Sequence, residues 1–439
     1  MQDIKPWEET YVSKLVSANE AIKHIKNGDR VVLGHATAEP AHLVDTLVEN
    51  YKSFKNVEVC QVVTLGEGKY AKPEMAGHFR FNGLFLTSAT RGAVNENRAD
   101  FTSSFFHEMP ELFRTLLPVD VELVMVSKPD KHGFCSFGAS SDFTKPVSQC
   151  AKIVIAQINK YVPRTFGDNF IHVKDIDYIV EHDVPLMEAP PAPIGEEENK
   201  IGAFCASLIK DGDTLQIGIG SIPESVLTYL WDRKDLGLHT EMVSDGVVDL
   251  IKAGIINNSK KPIHKGKSIT TLVMGTKKVY DFIDNNPAFE LYPVEYTNNP
   301  RTIAIHDNMV SINSCIQVDL FGQVVSECIG LKQFSGVGGQ VDFIRGTTMS
   351  KGGRAIVAML STASGGKVSR IVPFIDHGAA VTTSRNDVSY IVTEYGIAYL
   401  KGKTLSQRAK ALIEIAHPSF RNSLILEYEN RFNEKYDAN

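Results

Sequence analysis

The chain has 439 residues, with 46 Lys and Arg against 52 Asp and Glu, a formal charge of −6 and 43% hydrophobic residues. This balance is typical of a globular protein and excludes a disordered, collagen-like or disulfide-scaffold chain. The mild acidity argues against nucleic acid or an anionic membrane as the main partner, and the length predicts two domains.

The sequence carries no signal for membrane insertion or export. No segment approaches the roughly 20 apolar residues that a membrane span needs, and the first residues, MQDIKPWEE, lack the basic and apolar regions of a signal peptide. Six scattered cysteines without a C-x-x-C pair favour reduced thiols over a disulfide framework. The sequence contains no closely spaced pairs of zinc ligands, so it predicts no zinc site. We therefore expect a cytoplasmic enzyme without a bound metal.

A short internal repeat organises the chain. Ile-Lys-x-Gly-Asp occurs at residues 25–29 and again at 209–213, and each copy is followed by an alternating apolar run, a glycine and a proline. This pattern predicts a helix, a glycine-containing turn and a strand that ends in a glycine-rich loop. Ser17 and Glu20 form a capping box at the start of the first helix. We predict two tandem open α/β domains of similar topology with mainly parallel sheets.

The boundary between the two domains is predicted from composition. Residues 185–198 contain four prolines and four acidic residues, which favour an extended linker and divide the chain into domains at 1–190 and 191–439. Apolar runs predict further strands and helices on both sides of this linker. The strands are predicted at 123–126, 153–156, 214–219, 269–274 and 355–359, and the helices at 279–285 and 405–416.

Loops that follow strands are where ligands bind in open α/β sheets. The first such loop in the second half consists of Gly218, Ile219, Gly220, Ser221 and Ile222, before Pro223. Its backbone amides and the following helix N-terminus suit a phosphate or an oxyanion. A tight strand-to-helix turn is the alternative, because the third glycine of a dinucleotide-binding fingerprint is absent.

Three more loops of the second half contain candidate residues. Glu241 precedes a helix capped by Ser244 or Asp245, and its carboxylate is a nucleophile, a base or a surface acid. The glycine cluster that includes Gly338 and Gly339 is either a sharp turn or a place where a ligand touches bare backbone. Glu394 follows an apolar run, and an ordinary turn with a solvated glutamate is its alternative interpretation.

The first half contains similar loops at 34–40 and 64–68. A further segment, Phe-Phe-His-Glu-Met-Pro at 105–110, is not a zinc-protease helix because the second histidine is missing and a proline interrupts it. We therefore interpret His107 as a packed or pocket-lining residue.

Long motifs of the chain resemble the class I coenzyme A-transferases of the acetyl-CoA hydrolase/transferase family, especially those members that act on 4-hydroxybutyrate. In the second half these motifs lie at 218–223, 241–250, 333–343, 376–387 and 393–396. In the first half they lie at 38–40, 63–66, 105–108 and 133–135. The resemblance spans nearly the whole chain, although the segment around residues 361–368 is shorter than the corresponding segment of relatives.

The resemblance implies a set of roles for these residues. Glu241 would be the nucleophile that forms a glutamyl-CoA thioester, Gly339 would contribute from the glycine loop, and Glu394 would orient the acid or the thioester. The implied CoA contacts are Gly218, Ile219, Gly220, Ser221, Ile222, Ile316, Gly338 and Gly339. Exchange of one thioester for another needs neither ATP nor a metal, so CoA is a substrate and no permanently bound cofactor is expected.

The resemblance also implies partners and an arrangement of the domains. The substrates would be acyl-CoA and small carboxylic acids, the assembly a homodimer, and the active site the cleft between the domains. The N-terminal domain would supply the acid pocket, with His35, Glu39, Thr64 and His107 as candidates.

Other functions remain open at this point. An acyl-CoA hydrolase, or a transferase specific for butyrate, propionate or succinate with acetate, would use the same residues. A non-catalytic metabolite-sensing module would leave Glu241 without a role and predicts an assembly or DNA-binding segment that the sequence lacks. An NAD-dependent dehydrogenase is disfavoured by the incomplete glycine fingerprint.

Overall fold

The computed structural model describes residues 6–437. These residues divide into two compact units. The first contains the chain up to Ala189 together with Ile269–Thr297, and the second contains Pro190–Ser268 together with the chain from Asn298 onwards. Within residues 6–437, no helix combines the length and the apolar character needed to cross a membrane.

The first unit is built around a seven-stranded sheet in which every neighbouring pair is parallel. Residues alternate between its two faces, so Val31 and Leu33 belong to one buried cluster and Val32 and Cys60 to another. From edge to edge, the strands are Tyr178–Glu181, Ile153–Ile158, Val121–Val126, Arg30–Leu33, Val57–Gln61, Phe79–Gly83 and Asp100–Phe101.

Short helices cover this sheet and connect its strands. The α-helices are Pro6–Ser13, Ala18–Ala21, Ala41–Glu49, Arg91–Asn95, Met109–Thr115, Thr144–Ser148, Lys277–Ile283 and Val294–Thr297. Single 3₁₀ turns are found at Ile22–His24, Ala36–Ala38, Tyr51–Ser53, Lys69–Ala71, Pro73–Met75, Phe106–Glu108 and Val173–Asp175. Smaller strands are Phe134–Ser136, Phe166–Gly167, Phe170–His172, Leu272–Val273 and Phe289–Leu291, and Ser268–Thr270 begins at the unit boundary.

The second unit contains a six-stranded sheet. Its first five strands are parallel and its last pair is antiparallel. From edge to edge, they are Gly237–Leu238, Thr214–Ile217, Met309–Ser314, Arg354–Ala358, Tyr390–Thr393 and Gly396–Tyr399. The longest helix, Pro418–Phe432, contributes Leu424 and Tyr428 to the core on one face of this sheet.

Helices and short strands complete the second unit. The other helices are Glu196–Ser207, Ser221–Thr228, Asp245–Lys252, Pro300–Ala304, Gln340–Met349 and Leu405–Glu414. The short strands are Met242–Val243, Gln317–Asp319, Val324–Val325, Cys328–Ile329, Lys332–Gln333, Thr362–Ala363, Val368–Ser369 and Ile371–Val372.

The two sheets share the order of five parallel strands. In each, the first strand along the chain lies between the second strand and a later one, and two further strands follow on that later side. The first sheet also has Phe79–Gly83 and Asp100–Phe101 beyond its second strand, and the second sheet ends in the antiparallel Gly396–Tyr399. The repeated turn is also the same in both: the amide of Lys26 donates to Asp29 at 2.7 Å, and the amide of Lys210 donates to Asp213 at 2.6 Å. The intervening Gly28 has a φ of +83°, a conformation that favours glycine. The predicted fold class of two similar, mainly parallel α/β domains is confirmed.

Several predicted element boundaries were wrong in detail. The strand predicted at 214–219 ends at Ile217, because the glycines that follow turn the chain. The strand predicted at 269–274 is interrupted at Thr271 between two short strands. The last three acids of the predicted linker form the first turn of Glu196–Ser207, where carboxylates interact favourably with the helix dipole.

Residues 269–297 pack within the first unit although they follow a long stretch of the second. The amide of Val273 donates to Ala139 at 2.8 Å, and the amide of Ser141 donates to Thr271 at 3.0 Å. The hydroxyl of Thr37 donates to the Val273 carbonyl at 3.0 Å. No local pattern in the sequence indicated this excursion.

Candidate active site

The candidate residues of the second unit collect at one edge of its sheet. Five parallel strands end there, and each is followed within a few residues by a candidate side chain or loop. In sheet order these are Glu241, the loop that begins at Gly218, Ile316, Ser361 and Glu394. Three of these positions were predicted from the loops that contain them, and Ile316 was predicted from the family resemblance.

Glu241 is held by its neighbours on both sides of the chain. Its half-buried carboxylate accepts a hydrogen bond from Nδ2 of Asn298 to Oε2 at 2.6 Å. The preceding Thr240 is fully buried, and its hydroxyl lies 3.2 Å from the amide nitrogen and 3.0 Å from the carbonyl oxygen of Ile217. Thr240 therefore ties Glu241 to the strand that leads into the 218–222 loop.

Gly339 lies directly against this carboxylate. A Cβ built on Gly339 would be 1.7 Å from Oε2 of Glu241 and 2.3 Å from Nδ2 of Asn298, so no other residue fits without displacing them. Gly339 is also the N-cap of helix Gln340–Met349, whose partial positive charge stabilises an anion at this end. The preceding Gly338, at a φ of +54°, turns the chain into this position.

The 218–222 loop presents backbone rather than side chains. Gly220 has a φ of +117°, which side-chain-bearing residues rarely adopt, and it is the N-cap of helix Ser221–Thr228. Ile219 at the tip is 39% exposed. The loop follows Gln216, whose side-chain carbonyl accepts from the backbone amide of Ile312 and from the side-chain amide of Asn313, at 3.1 Å each. Exposed amides at a helix N-terminus form a ready anion-binding site.

Ile316 lines a cavity of about 510 Å³ within the second unit. Its wall is formed on one side by Phe334 and on another by the hairpin of Thr362–Ala363 and Val368–Ser369. The lining is mainly apolar, and its polar members are serines together with Gln317, Arg370 and Asp376. The position suits a long, partly apolar ligand that carries a few polar groups.

Glu394 makes a contact that its implied role did not include. One carboxylate oxygen accepts from the amide of Ser361 at 2.9 Å and the other from the hydroxyl of the same residue. The carbonyl of Ser361 in turn accepts from the amide of Arg370 at 2.8 Å. Glu394 therefore holds the base of the hairpin that walls the Ile316 cavity.

In the first unit, His35 is fully engaged by protein groups. Its Nδ1 accepts from the amide of Val63 at 3.1 Å, which leaves Nε2 to donate to Asp142 at 2.6 Å, and both side chains are buried. Burial of Asp142 disfavours its charge, but His35 and hydrogen bonds from Ser140 and Thr144 outweigh this and lower the pKa of Asp142.

Glu39 and Thr64 are brought together through a shared partner. Gln61 donates to the Glu39 carboxylate at 2.8 Å and accepts from the Thr64 hydroxyl at 2.6 Å, and Tyr70 joins the same network. Burial raises the pKa of Glu39 above its usual range. His107 lies 4.0 Å from the carboxylate of Glu108, in the same 3₁₀ turn.

Sequence reasoning missed Asn298, Thr240 and Ser361. Asn298 is followed by Asn299, which caps helix Pro300–Ala304, so the sequence signals a helix start but not the partner of the residue before it. Across residues 6–437, no group of three or more His, Cys, Asp or Glu side chains is arranged to hold a metal ion.

Comparison with known proteins identifies the family of this chain. Residues 1–188 match the acetyl-CoA hydrolase/transferase N-terminal domain and residues 275–428 match the C-terminal domain of the same family. The chain is 60% identical over 427 residues to 4-hydroxybutyrate coenzyme A transferase of Clostridium kluyveri, covering 97% of this chain and 100% of that protein.

Two solved structures extend the comparison. The crystal structure of 4-hydroxybutyrate CoA-transferase from Porphyromonas gingivalis is 45% identical, with a TM-score of 0.85 over 97% of this chain and 100% of the other. RipA from Yersinia pestis is 36% identical, with a TM-score of 0.93 over 98% of this chain and 100% of the other. The chain therefore belongs to the acetyl-CoA hydrolase/transferase family and is a CoA-transferase.

Proposed function

We propose that this enzyme moves CoA between acetyl-CoA, or another short acyl-CoA, and 4-hydroxybutyrate through a glutamyl-CoA thioester at Glu241. The observation that carries the proposal is the Glu241 carboxylate, held by Asn298 against Gly339 at the N-terminus of a helix. A carboxylate fixed next to backbone amides, at the edge of a sheet where substrates bind, is placed for nucleophilic catalysis.

The first half-reaction transfers CoA to the enzyme in two steps. A Glu241 carboxylate oxygen attacks the acyl carbonyl, the carbon–sulfur bond breaks, and CoA leaves as the thiolate with a mixed anhydride formed. The thiolate then attacks the glutamyl carbonyl of the anhydride, which releases the first acid as its carboxylate and leaves a thioester on Glu241. A second acid enters and the steps run in reverse, which gives ping-pong kinetics.

Each step passes through a tetrahedral oxyanion that needs hydrogen-bond donors. We propose that the amides of the 218–222 loop and of Gly339 are these donors, and one such donor is typically worth about 10²–10³ in rate. The side-chain amide of Asn298 fixes the orientation of the Glu241 carboxylate before it attacks. Once the carboxyl carbon of Glu241 has become part of the anhydride or the thioester, the same amide donates to the oxygen on that carbon. These donors act without reorganising during the reaction.

The identity of the acceptor acid rests on the relatives. The Clostridium kluyveri relative is a 4-hydroxybutyrate enzyme and aligns with this chain over its full length. We propose that the first unit supplies the acid pocket through Glu39 and Thr64, because both side chains are buried, polar and joined through Gln61. His35 then supports this network rather than contacting the acid, since both of its ring nitrogens are engaged.

The assembly and location complete the proposal. We propose a homodimer, which light scattering after size-exclusion chromatography would test. A cytoplasmic location is supported by six cysteines that all carry free thiols, since paired cysteines are typical of oxidising compartments.

Borohydride trapping tests the covalent intermediate. Incubation with acetyl-CoA followed by borohydride should inactivate the enzyme, because reduction converts the Glu241 thioester to a primary alcohol that mass spectrometry can locate. Enzyme without acyl-CoA should survive the same treatment. Glu241→Ala should lose transfer by at least about 10⁴-fold while it still binds CoA. Full transfer by this variant, or a reduced side chain elsewhere, would refute the assignment.

A panel of acceptors with acetyl-CoA as donor tests the acid. We expect 4-hydroxybutyrate to be preferred over butyrate, because a buried polar partner of the hydroxyl is left unsatisfied by the analogue. A preference for butyrate, propionate or succinate would correct the substrate and keep the mechanism. Hydrolysis without any acceptor, as fast as transfer with one, would instead identify a hydrolase.

A further inference from the structure

Arg370 has hydrogen-bonding capacity that the protein does not use. Its Nε is buried without a partner among residues 6–437, and Nη1 reaches only the carbonyl of Cys315, at the long distance of 3.5 Å. A buried donor without a partner costs free energy, and a ligand that supplies the acceptor removes that cost.

The backbone of Arg370 is fixed more firmly than its side chain. Its amide donates to Ser361 at 2.8 Å and its carbonyl accepts from Val318 at 2.9 Å. Ser361 is itself held by Glu394. The guanidinium therefore projects from a rigid support, and binding an anion there needs little ordering of the chain.

The surroundings of Arg370 indicate the kind of anion. It lines the same 510 Å³ cavity as Ile316, together with the apolar side chains of Ile329, Phe334 and Val368. Asp376 also lines this cavity, so a small anion drawn in by net charge alone is disfavoured. A ligand that fills the apolar space and places an anionic group against the guanidinium fits both features.

We propose that Arg370 binds a phosphate group of the acyl-CoA substrate, either the diphosphate or the 3′-phosphate. This proposal rests on the proposed function and extends it from the reacting thioester to the distant part of CoA. The planar guanidinium presents paired donors that match phosphate oxygens, a geometry that lysine lacks. The carboxylate of the acid substrate shares this chemistry, and the experiment separates the two.

Binding of three probes to the wild type and to Arg370→Gln, measured by calorimetry, tests the proposal. The probes are CoA, 3′-dephospho-CoA and pantetheine, which lacks every phosphate. We expect Arg370→Gln to weaken CoA about 10- to 100-fold, the effect of losing a charge-assisted hydrogen bond, and to leave pantetheine unchanged. If Arg370→Gln also weakens the binding of 3′-dephospho-CoA, the group bound is the diphosphate. If it leaves the binding of 3′-dephospho-CoA unchanged, the group bound is the 3′-phosphate.

Matched variants control for loss of charge and for folding. Arg233 is another half-buried arginine of the second unit, and its guanidinium donates to backbone carbonyls of Ala206 and Ile209. Arg233→Gln should leave the CoA affinity unchanged. Arg370→Lys keeps the positive charge but lacks the paired donors of the guanidinium, so its CoA affinity should fall between those of the wild type and Arg370→Gln.

Three results would overturn the proposal. In the first, Arg370→Gln weakens the binding of CoA and of pantetheine equally. In the second, it weakens the binding of neither. In the third, its only effect is a higher KM for 4-hydroxybutyrate. Calorimetry needs no transfer reaction, so its result is independent of borohydride trapping. Phosphate-dependent binding without a trapped thioester would refute the proposed mechanism and leave the role of Arg370 standing.

Discussion

The two units share the order of five parallel strands but differ in the kind of loop that follows the first of them. In the first unit, the strand Arg30–Leu33 leads into a loop whose side chains, His35 and Glu39, are buried and hydrogen-bonded to the protein. In the second unit, the corresponding strand Thr214–Ile217 leads into glycines and the partly exposed Ile219. One loop has its polar groups satisfied internally, and the other leaves backbone amides available.

The comparison shows that the fold sets the place of a site and the loop sets its chemistry. Parallel strands bring their carboxyl ends to one edge in both units, so each unit has a potential ligand site there. A loop with buried polar side chains is suited to shape a pocket and to stabilise it. A glycine-rich loop at a helix N-terminus is suited to stabilise a developing negative charge.

Among variants that test this difference between the loops, we expect the largest effect, a loss of activity, from Gly339→Ala. The new Cβ would displace the Glu241 carboxylate or the Asn298 amide, which it would otherwise approach to 1.7 and 2.3 Å. Because a displacement of about 1 Å can cost about 100-fold in rate, we expect at least that loss in kcat at unchanged stability. Steady-state kinetics and thermal unfolding measure the two effects.

Gly92→Ala is the control from the first unit. Gly92 lies in a helix, and its added Cβ would approach nothing closer than Glu96 Oε1 at 3.9 Å. Transfer should be unchanged and stability equal or slightly higher, because alanine restricts the unfolded chain. Equal activity of the two alanine variants would contradict the placement of Gly339 against the nucleophile.

A smaller effect, on stability rather than on chemistry, is expected from Asp142→Asn in the first unit. Asp142 accepts from His35 and Thr144, and the replacement puts an amide donor among groups that themselves donate. We expect a loss of about 2 kcal/mol in the free energy of unfolding, measured by denaturant titration. The CoA affinity should stay unchanged.

Asp45→Asn provides the comparison for that variant. Asp45 forms an exposed ion pair with Lys69 at 2.9 Å, so its replacement should cost less than about 1 kcal/mol. If Asp142→Asn were no more destabilising than Asp45→Asn, the buried network of the first unit would have no structural role.

The smallest effect is expected from Glu122→Gln. Glu122 lies in strand Val121–Val126, fully buried, and neither carboxylate oxygen has a partner among residues 6–437. Burial, with a smaller contribution from Asp142, raises the pKa of Glu122 well above 4.5. Above that ordinary value the folded state therefore holds a proton that the unfolded state has lost, so stability falls as the pH rises.

Glutamine cannot ionise, and the variant should lose this part of the pH dependence. We expect the wild type to lose more stability than Glu122→Gln as the pH rises above the ordinary pKa of a glutamate. Denaturant titrations of both proteins across that pH range measure the difference. Parallel stability profiles would show that Glu122 is charged in the folded protein.

Much of the fold follows from local signals. The repeated Ile-Lys-x-Gly-Asp turn has the same geometry in both units, and Ser17 and Glu20 form the predicted capping box. Helix Leu405–Glu414 and strand Arg354–Ala358 lie within two residues of their predicted limits. Apolar periodicity and turn chemistry act over a few residues, so a sequence displays them directly.

Pairings across the chain were not predicted in the same way. Asn298 contacts Glu241 from 57 residues away, and Glu394 contacts Ser361 from 33 residues away. Residues 269–297 add to the first unit after a long stretch of the second. Such contacts depend on which strands become neighbours, and that order is a property of the whole sheet.

The sequence by itself determined two similar parallel α/β domains, glycine-rich loops after their strands and a glutamate next to one of them. These features follow from the residue types and their local spacing. The tertiary structure alone decided that Asn298 and Gly339 hold this glutamate, that Glu394 supports a hairpin, and that Arg370 faces a cavity with unused donors. Their positions depend on long-range packing, where side chains distant in sequence meet because the strands that precede them end at the same edge.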